Sequence, residues 1–317
     1  MMPFRLHPVY KPYLWGGTRL IEQYGKQPDL PVLAESWELS AHRNGDCTVA
    51  TGPFREMPLS RLVAEHPEIL GSGSNDECPI LIKLIDARLN LSVQVHPDDA
   101  YARRSGHDHG KTEMWVVLEA ESDSALYCGF NRRISPAEFR QRIEDGSLAD
   151  VLERKPVIKG DVVFIPAGTI HAIGEGILIA EIQQSSDLTY RVYDYGRLDA
   201  TGRPRELHIQ NALDVTRLEP ANFTAPGARP LCRAKDFGVQ RLAGCPYFTV
   251  DRITLSGLYR LGSPRLSFVS LLCADGDAVL RCEDERFKLG KGDSIFIPAD
   301  SPACDLSGAG VFLKTFV

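Results

Sequence analysis

Lys159-Gly160-Asp161-Val162-Val163-Phe164-Ile165-Pro166-Ala167 recurs as Lys291-Gly292-Asp293-Ser294-Ile295-Phe296-Ile297-Pro298-Ala299. In each copy a Gly-Asp turn leads into a short run of β-formers, and a Pro-ended turn stops it. Such a unit used twice predicts two related β-barrels. The copies diverge at one telling place: His171 in the first falls opposite Ala303 in the second. The C-terminal barrel is therefore expected to keep the scaffold and lack the ligand. Pro220, Pro226, Gly227 and Pro230 break the pattern between the two. This places an N-terminal domain with small helical insertions at residues 1–225 and a smaller β domain without metal ligands at 226–317.

Around the repeat, strand signals dominate. Residues 80–85, 91–96, 113–118, 125–130, 162–165, 178–183 and 189–193 are short β-type runs between turn residues. Helices are few and short. Residues 59–70 carry Leu59, Leu62, Val63, Ile69 and Leu70, with Pro67 weakening the end. Ser135-Pro136-Ala137-Glu138 is a capping box with Pro at the first helical position. The helix it opens carries Phe139 and Ile143, breaks near Gly146 and resumes through Leu148, Val151 and Leu152. A third helix is expected over 206–218, and Gly71-Ser72-Gly73-Ser74-Asn75-Asp76 reads as a flexible loop.

Composition excludes little but excludes it cleanly. The 317 residues, 43% apolar and 25% charged, are those of an ordinary soluble globular protein. A net charge of −6 argues against a nucleic-acid partner. The eight cysteines form no CxxC pair and read as reduced packing residues. Met1-Met2-Pro3-Phe4-Arg5-Leu6 lacks the apolar core of a leader, and no run of about 18 apolar residues occurs. A cytoplasmic protein with no membrane partner is expected.

Leu91-Ser92-Val93-Gln94-Val95-His96-Pro97 alternates strictly, so Leu91, Val93 and Val95 share one face of a strand and Ser92, Gln94 and His96 the other. One face suits a core and the other carries coordinating groups. Gly110-Lys111-Thr112-Glu113-Met114-Trp115 adds a carboxylate, and Gly168-Thr169-Ile170-His171-Ala172 a second imidazole. His96, Glu113 and His171 make a common ligand set for a divalent first-row metal, and Gln94 offers an amide oxygen as a fourth ligand. Glu113 precedes Met114-Trp115-Val116-Val117-Leu118, so its strand is expected to be buried on both faces. A lone carboxylate there needs a compensating charge.

Glu181 sits on a strand without an ordinary polar face, and Arg191 follows a Ser-Ser-Asp turn in a tyrosine-rich strand. They read equally as a buried ion pair or as acid–base and charge-stabilising groups beside the metal. Lys111, Arg191 and Arg197 with Ser92 would form the local basic pocket that an acidic protein needs for a phosphorylated substrate. His107 and His109 lie in a polar, turn-rich stretch and read as a solvated loop; His42, just before a turn, fits either reading.

Together with Tyr13-Leu14-Trp15-Gly16-Gly17, Glu35-Ser36-Trp37-Glu38, residues 166–172 and 181–191, these motifs resemble the type I mannose-6-phosphate isomerases in their short bacterial form. The resemblance implies a mainly β fold of two cupin-like jelly-roll barrels with a few short helices, the N-terminal one catalytic. It implies one zinc ion per chain, held by Gln94, His96, Glu113 and His171, and a small sugar phosphate as the partner. Lys111, Glu181 and Arg191 match active-site groups of the family. Ser92 and Arg197 fall where it contacts phosphate, although larger members carry lysine at the latter position. The long helical insertion of those members is absent or reduced to residues 135–152. The reaction implied is the interconversion of mannose 6-phosphate and fructose 6-phosphate through a cis-enediol, with the metal polarising oxygen and Glu181, Lys111 or a zinc-bound water moving the proton.

Two rival functions use the same residues. A non-haem iron cupin oxygenase would need only the two imidazoles and the carboxylate. A sugar-phosphate-binding cupin without turnover would need no acid–base group beside a metal. Gln94 and the basic cluster count against the first, and Lys111, Glu181 and Arg191 against the second.

Overall fold

A computed structural model describes residues 1–72, 77–198, 202–221, 223–263 and 266–317. The loop expected over 71–76 lies mostly outside the described residues. The fold is mainly β and stacks three sheets. In the first, five strands run in the order Leu152–Pro156, Ala125–Phe130, His171–Ile173, Val93–Val95, Tyr190–Tyr193. In the second, six strands run Val162–Ile165, Glu113–Ala120, Ile177–Gln184, Ile80–Ala87, Glu35–Leu39, Val9–Lys11. The third is an eight-stranded C-terminal sheet built on the long strands Val269–Cys282 and Cys304–Phe316.

The six-stranded sheet is the middle layer, which its sequence explains. Ile80–Ala87 and Ile177–Gln184 are near-continuous apolar runs, and every residue of both is buried. A strand with a solvent face would alternate. One face, with Ile85, Trp115, Val117 and Ile179, packs on Leu126, Cys128 and Ile173 of the five-stranded sheet. The other, with Ile82, Leu84, Met114, Val116, Ala180 and Ile182, shares a core with Leu242, Val250, Leu272 and Leu313 of the C-terminal sheet. That sheet bends around a further core of its own, containing Ile253, Leu271, Leu280 and Phe312.

The strand order of none of the three sheets returns on itself among the described residues, so the two expected barrels are not found as closed rings. The repeated segment does form equivalent short strands, Val162–Ile165 and Ser294–Ile297. Ser135 caps the helix Pro136–Glu144 as expected, accepting from the Glu138 N–H. Pro67 ends the helix Leu59–Glu65 by converting its continuation into a 3₁₀ turn, Pro67–Leu70. The expected resumption after Gly146 is a single 3₁₀ turn, Leu148–Val151; from Leu152 the chain pairs with Ala125–Phe130 as an edge strand instead. The third helix is shorter than expected, Ile209–Val215. All eight cysteines are free thiols and six are buried. Among the described residues no helix is long and apolar enough to cross a membrane.

Candidate active site and metal centre

The interior between the first two sheets is apolar at one end and charged at the other, and strand register decides which side chains meet there. His171 pairs with Gln94, which also pairs with Arg191. Across the middle sheet Trp37, Lys83, Glu181 and Trp115 form one row, with Glu113 opposite Gln183 in the next. His96 follows Val95 at the strand end. Residues far apart in sequence thus converge.

His96, Glu113 and His171 are fully buried, with one potential ligand atom from each lying within 4.8 Å of the others. His96 Nε2 is 3.5 Å from Glu113 Oε2, and His171 Nε2 is 3.4 Å from Glu113 Oε1. Each imidazole has its outer nitrogen against a backbone carbonyl: His96 Nδ1 is 2.8 Å from Leu188 O and His171 Nδ1 2.8 Å from Thr169 O. Those carbonyls can only accept, so Nδ1 carries the proton and both Nε2 lone pairs face the cluster. Burial pushes His171 down to about 4 and His96 well below its ordinary value, so both rings are neutral. Neither Glu113 oxygen accepts an aligned hydrogen bond. Burial raises its pKa against the pull of Lys111. Two neutral imidazole nitrogens and a buried carboxylate balanced only by Lys111, converging in one place, form a donor set that could hold a divalent cation. The Gln94 amide lies 3.3 Å from His171 Nε2, and turning the amide over presents its oxygen at the same place.

Lys111 joins this cluster to a second one. Its Nζ is 3.1 Å from His96 Nε2, 2.8 Å from Glu113 Oε2 and 3.9 Å from Glu181 Oε1. Glu181 Oε2 accepts from Trp115 Nε1 at 2.9 Å, and its Oε1 is 3.2 Å from Lys83. Burial would raise Glu181, but Lys111, Lys83 and the indole together hold it below the ordinary carboxylate range. Lys83 also lies 3.9 Å from Glu35, which accepts from Trp37 Nε1 at 2.7 Å. Two lysines thus face three glutamates in this interior.

Glu35, Trp37, Lys83, Gln94, Lys111 and Glu181 line a cavity of about 510 Å³ that also reaches Ser92, Asp187, Arg191 and Arg205. Arg191 is half-buried, with Nε 3.4 Å from Ser92 Oγ. Burial and neighbouring Arg205 lower its pKa, the mark of a crowded positive mouth. Arg197 is placed differently: it donates to Asp194 and to Asn90 O, and Asp194 in turn holds Arg205, which reaches the cavity. His107 and His109 border a separate pocket of about 380 Å³ with His42. The structure therefore brings Gln94, His96, Lys111, Glu113, His171, Glu181, Ser92 and Arg191 together, and sets Arg197 behind Arg205. Sequence reading passed over Lys83 and Arg205. Lys83 had a signal, a single charge within Leu81-Ile82-Lys83-Leu84-Ile85.

Comparison with known proteins agrees with this geometry. Residues 3–130 match the family described as phosphomannose isomerase type I, catalytic domain, and residues 239–317 the mannose-6-phosphate isomerase cupin domain. The chain is 40% identical to the mannose-6-phosphate isomerase of Streptococcus mutans, over 90% of this chain and 89% of that one. It is 35% identical to mannose-6-phosphate isomerase ManA of Bacillus subtilis, over 93% of each. A crystal structure of the mannose 6-phosphate isomerase from Bacillus subtilis superposes with a TM-score of 0.94 at 34% identity, covering all of both chains. The chain is a member of the type I mannose-6-phosphate isomerase family and, like its relatives, an isomerase.

Proposed function

We propose that the chain interconverts mannose 6-phosphate and fructose 6-phosphate through a cis-enediol, with one zinc ion held by Gln94, His96, Glu113 and His171. The observation that carries this reading is the convergence of a buried carboxylate and two Nε2 lone pairs beside a cavity that carries Arg191 and Arg205. A bound zinc ion supplies Lewis-acid polarisation of the sugar's carbonyl and hydroxyl oxygens. The chain's own residues do the rest. Ser92 and Arg191, with Arg205 braced by Asp194 and Arg197, receive the phosphate. Glu181, ionised, accepts the proton from C2 of the aldose and returns it to C1, while the proton of the C2 hydroxyl passes to the C1 oxygen. Lys111 lies between Glu181 and the ligand cluster, where its charge offsets negative charge growing on the substrate oxygens. Arg191 adds to that field from the mouth. Trp115 and the apolar row behind it exclude water from the reacting end.

Residues 1–225 are proposed as the catalytic jelly-roll domain and 226–317 as a cupin-like domain without ligands; free thiols throughout fit a cytoplasmic enzyme. Membership of an isomerase family decides against the oxygenase and the binder without turnover. The test is Glu113→Ala, assayed for metal content and for fructose 6-phosphate formation. Metal and activity are expected to disappear together, and zinc retained in full by the variant overturns the ligand assignment.

A further inference from the structure

The second copy of the repeat carries no ligand, yet it touches the substrate cavity's wall from behind. The strand Glu35–Leu39 is buried throughout, and its two faces serve different partners. Glu35 and Trp37 line the cavity. Ser36 and Glu38, on the opposite face, meet the C-terminal sheet. Glu38 Oε1 accepts from Ser36 Oγ at 2.5 Å and lies 2.6 Å from Lys26 Nζ, while its Oε2 accepts from Ser294 Oγ at 3.1 Å. Lys26, itself buried, donates to Gly292 O at 2.7 Å. Gly292 and Ser294 belong to the repeated motif. A Cβ on Gly292 would fall 2.6 Å from Tyr24 O, whereas its counterpart Gly160 faces open space. The second copy is thus packed against N-terminal backbone at Gly292, whereas the first meets the C-terminal sheet through polar side chains, Arg252 on Gly160 O and Lys159 on Asp275.

We infer that Glu38, with Lys26 and Ser294, is a positioning clamp through which the C-terminal sheet sets the place of Trp37 and Glu35 in the substrate cavity. A buried ion pair closed by a hydroxyl fixes Glu38 on one face of the strand. Trp37, one residue back, is then held between Lys11 and Lys83, whose ammonium groups lie 4.8 and 4.9 Å from its ring. The clamp touches neither the substrate nor the ligand cluster. The inference takes from the proposed site only that Trp37 and Glu35 face the sugar.

Ser294→Ala deletes the hydroxyl at a partly exposed position, Ser294→Thr restores it, and Glu38→Gln removes the counter-charge of Lys26. The measurements are KM and kcat for mannose 6-phosphate, Tm, and the change in tryptophan emission when the substrate is added. Trp15 and Trp37 line the cavity, and Trp115, behind it, donates to Glu181, so emission reports on the cavity and its wall. Ser294→Ala is expected to raise KM roughly three- to tenfold with kcat within about twofold, the pattern of lost uniform binding. It should also alter the emission change, and Ser294→Thr should return both. Arg252→Ala removes a different bond between the units, Arg252 to Gly160 O, and is expected to leave KM unchanged. Wild-type KM and emission in Ser294→Ala overturn the clamp, even if Glu38→Gln fails to fold. An equal rise in KM in Arg252→Ala also overturns it, by showing general loosening. Trp37→Phe tests the cavity separately: if its KM is unchanged, the clamp falls together with the cavity reading, and if it alone is raised, only the clamp falls.

Discussion

Replacing Lys83 by methionine removes the cation between two buried carboxylates at nearly constant volume. Lys83 Nζ lies 3.2 Å from Glu181 and 3.9 Å from Glu35. At an effective dielectric of about 20 those separations correspond to about 5 and about 4 kcal/mol of attraction. Much of this is offset by the cost of burying the ammonium, and breaking such a buried pair typically costs about 3–5 kcal/mol. The sign of its pH dependence is the sharper expectation. In the native enzyme Glu181 titrates below its unfolded value, so its contribution to stability is present above the unfolded pKa and lost as pH falls through the folded one. Without Lys83 the folded pKa rises above the unfolded one, and the folded protein then binds the extra proton. Its stability falls by about 1.4 kcal/mol per pH unit between those two values. The deficit relative to wild type is therefore largest near pH 8 and shrinks toward pH 5. Urea titrations of both proteins across that range, with metal removed by chelator, measure it. A deficit under about 1 kcal/mol, flat from pH 5 to 8, would refute the compensating role given to Lys83.

Three further outcomes follow from the site. Arg191→Ala should keep its metal and lose most turnover, at least about a hundredfold in kcat, as removal of an electrostatic stabiliser does; metal analysis and steady-state kinetics on one preparation check it. Arg197→Ala should act mainly on KM, because its guanidinium reaches the cavity only through Asp194 and Arg205, and a kcat loss equal to that of Arg191→Ala would contradict that placement. In the metal-free protein His171 contributes a loss of stability as pH falls from about 6.5 to about 4, since it stays neutral in the folded chain while its unfolded counterpart takes up a proton, whereas Glu113, raised to about 7, contributes a gain as pH falls. The His171 part is roughly 3 kcal/mol, and denaturant titrations of chelated Glu113→Gln protein, in which the opposing carboxylate is gone, measure it.

The residues of the His96, Glu113 and His171 cluster are legible in the sequence because alternation exposes them. His96 and Gln94 stand on the polar side of a strand whose other side is apolar, and Glu113 and Glu181 interrupt apolar runs where no charge belongs without a partner. Lys83 interrupts its run in the same way, but its meaning depends on lying across from Glu181, and register between strands separated by nearly a hundred residues is not written locally. Arg197 and Arg205 differ for a related reason. Both are positive and close in sequence, and only the turn carrying Asp194 decides which of them reaches the cavity. The edge strand Leu152–Pro156 was hidden for lack of a nearby pattern: it is fixed by Ala125–Phe130, and its own Leu-Glu-Arg-Lys is as good a helix sequence as a strand.

The middle sheet's double burial gives the boundary near residue 225 a particular meaning. Cutting the polypeptide there would leave every ligand on one fragment, yet strip the cover from Ile82, Leu84, Met114, Val116, Ala180 and Ile182 at once. A greasy plane of that kind invites self-association. The larger fragment, which holds all the proposed ligands, is therefore expected to be insoluble by itself, and the C-terminal sheet to act as its built-in chaperone.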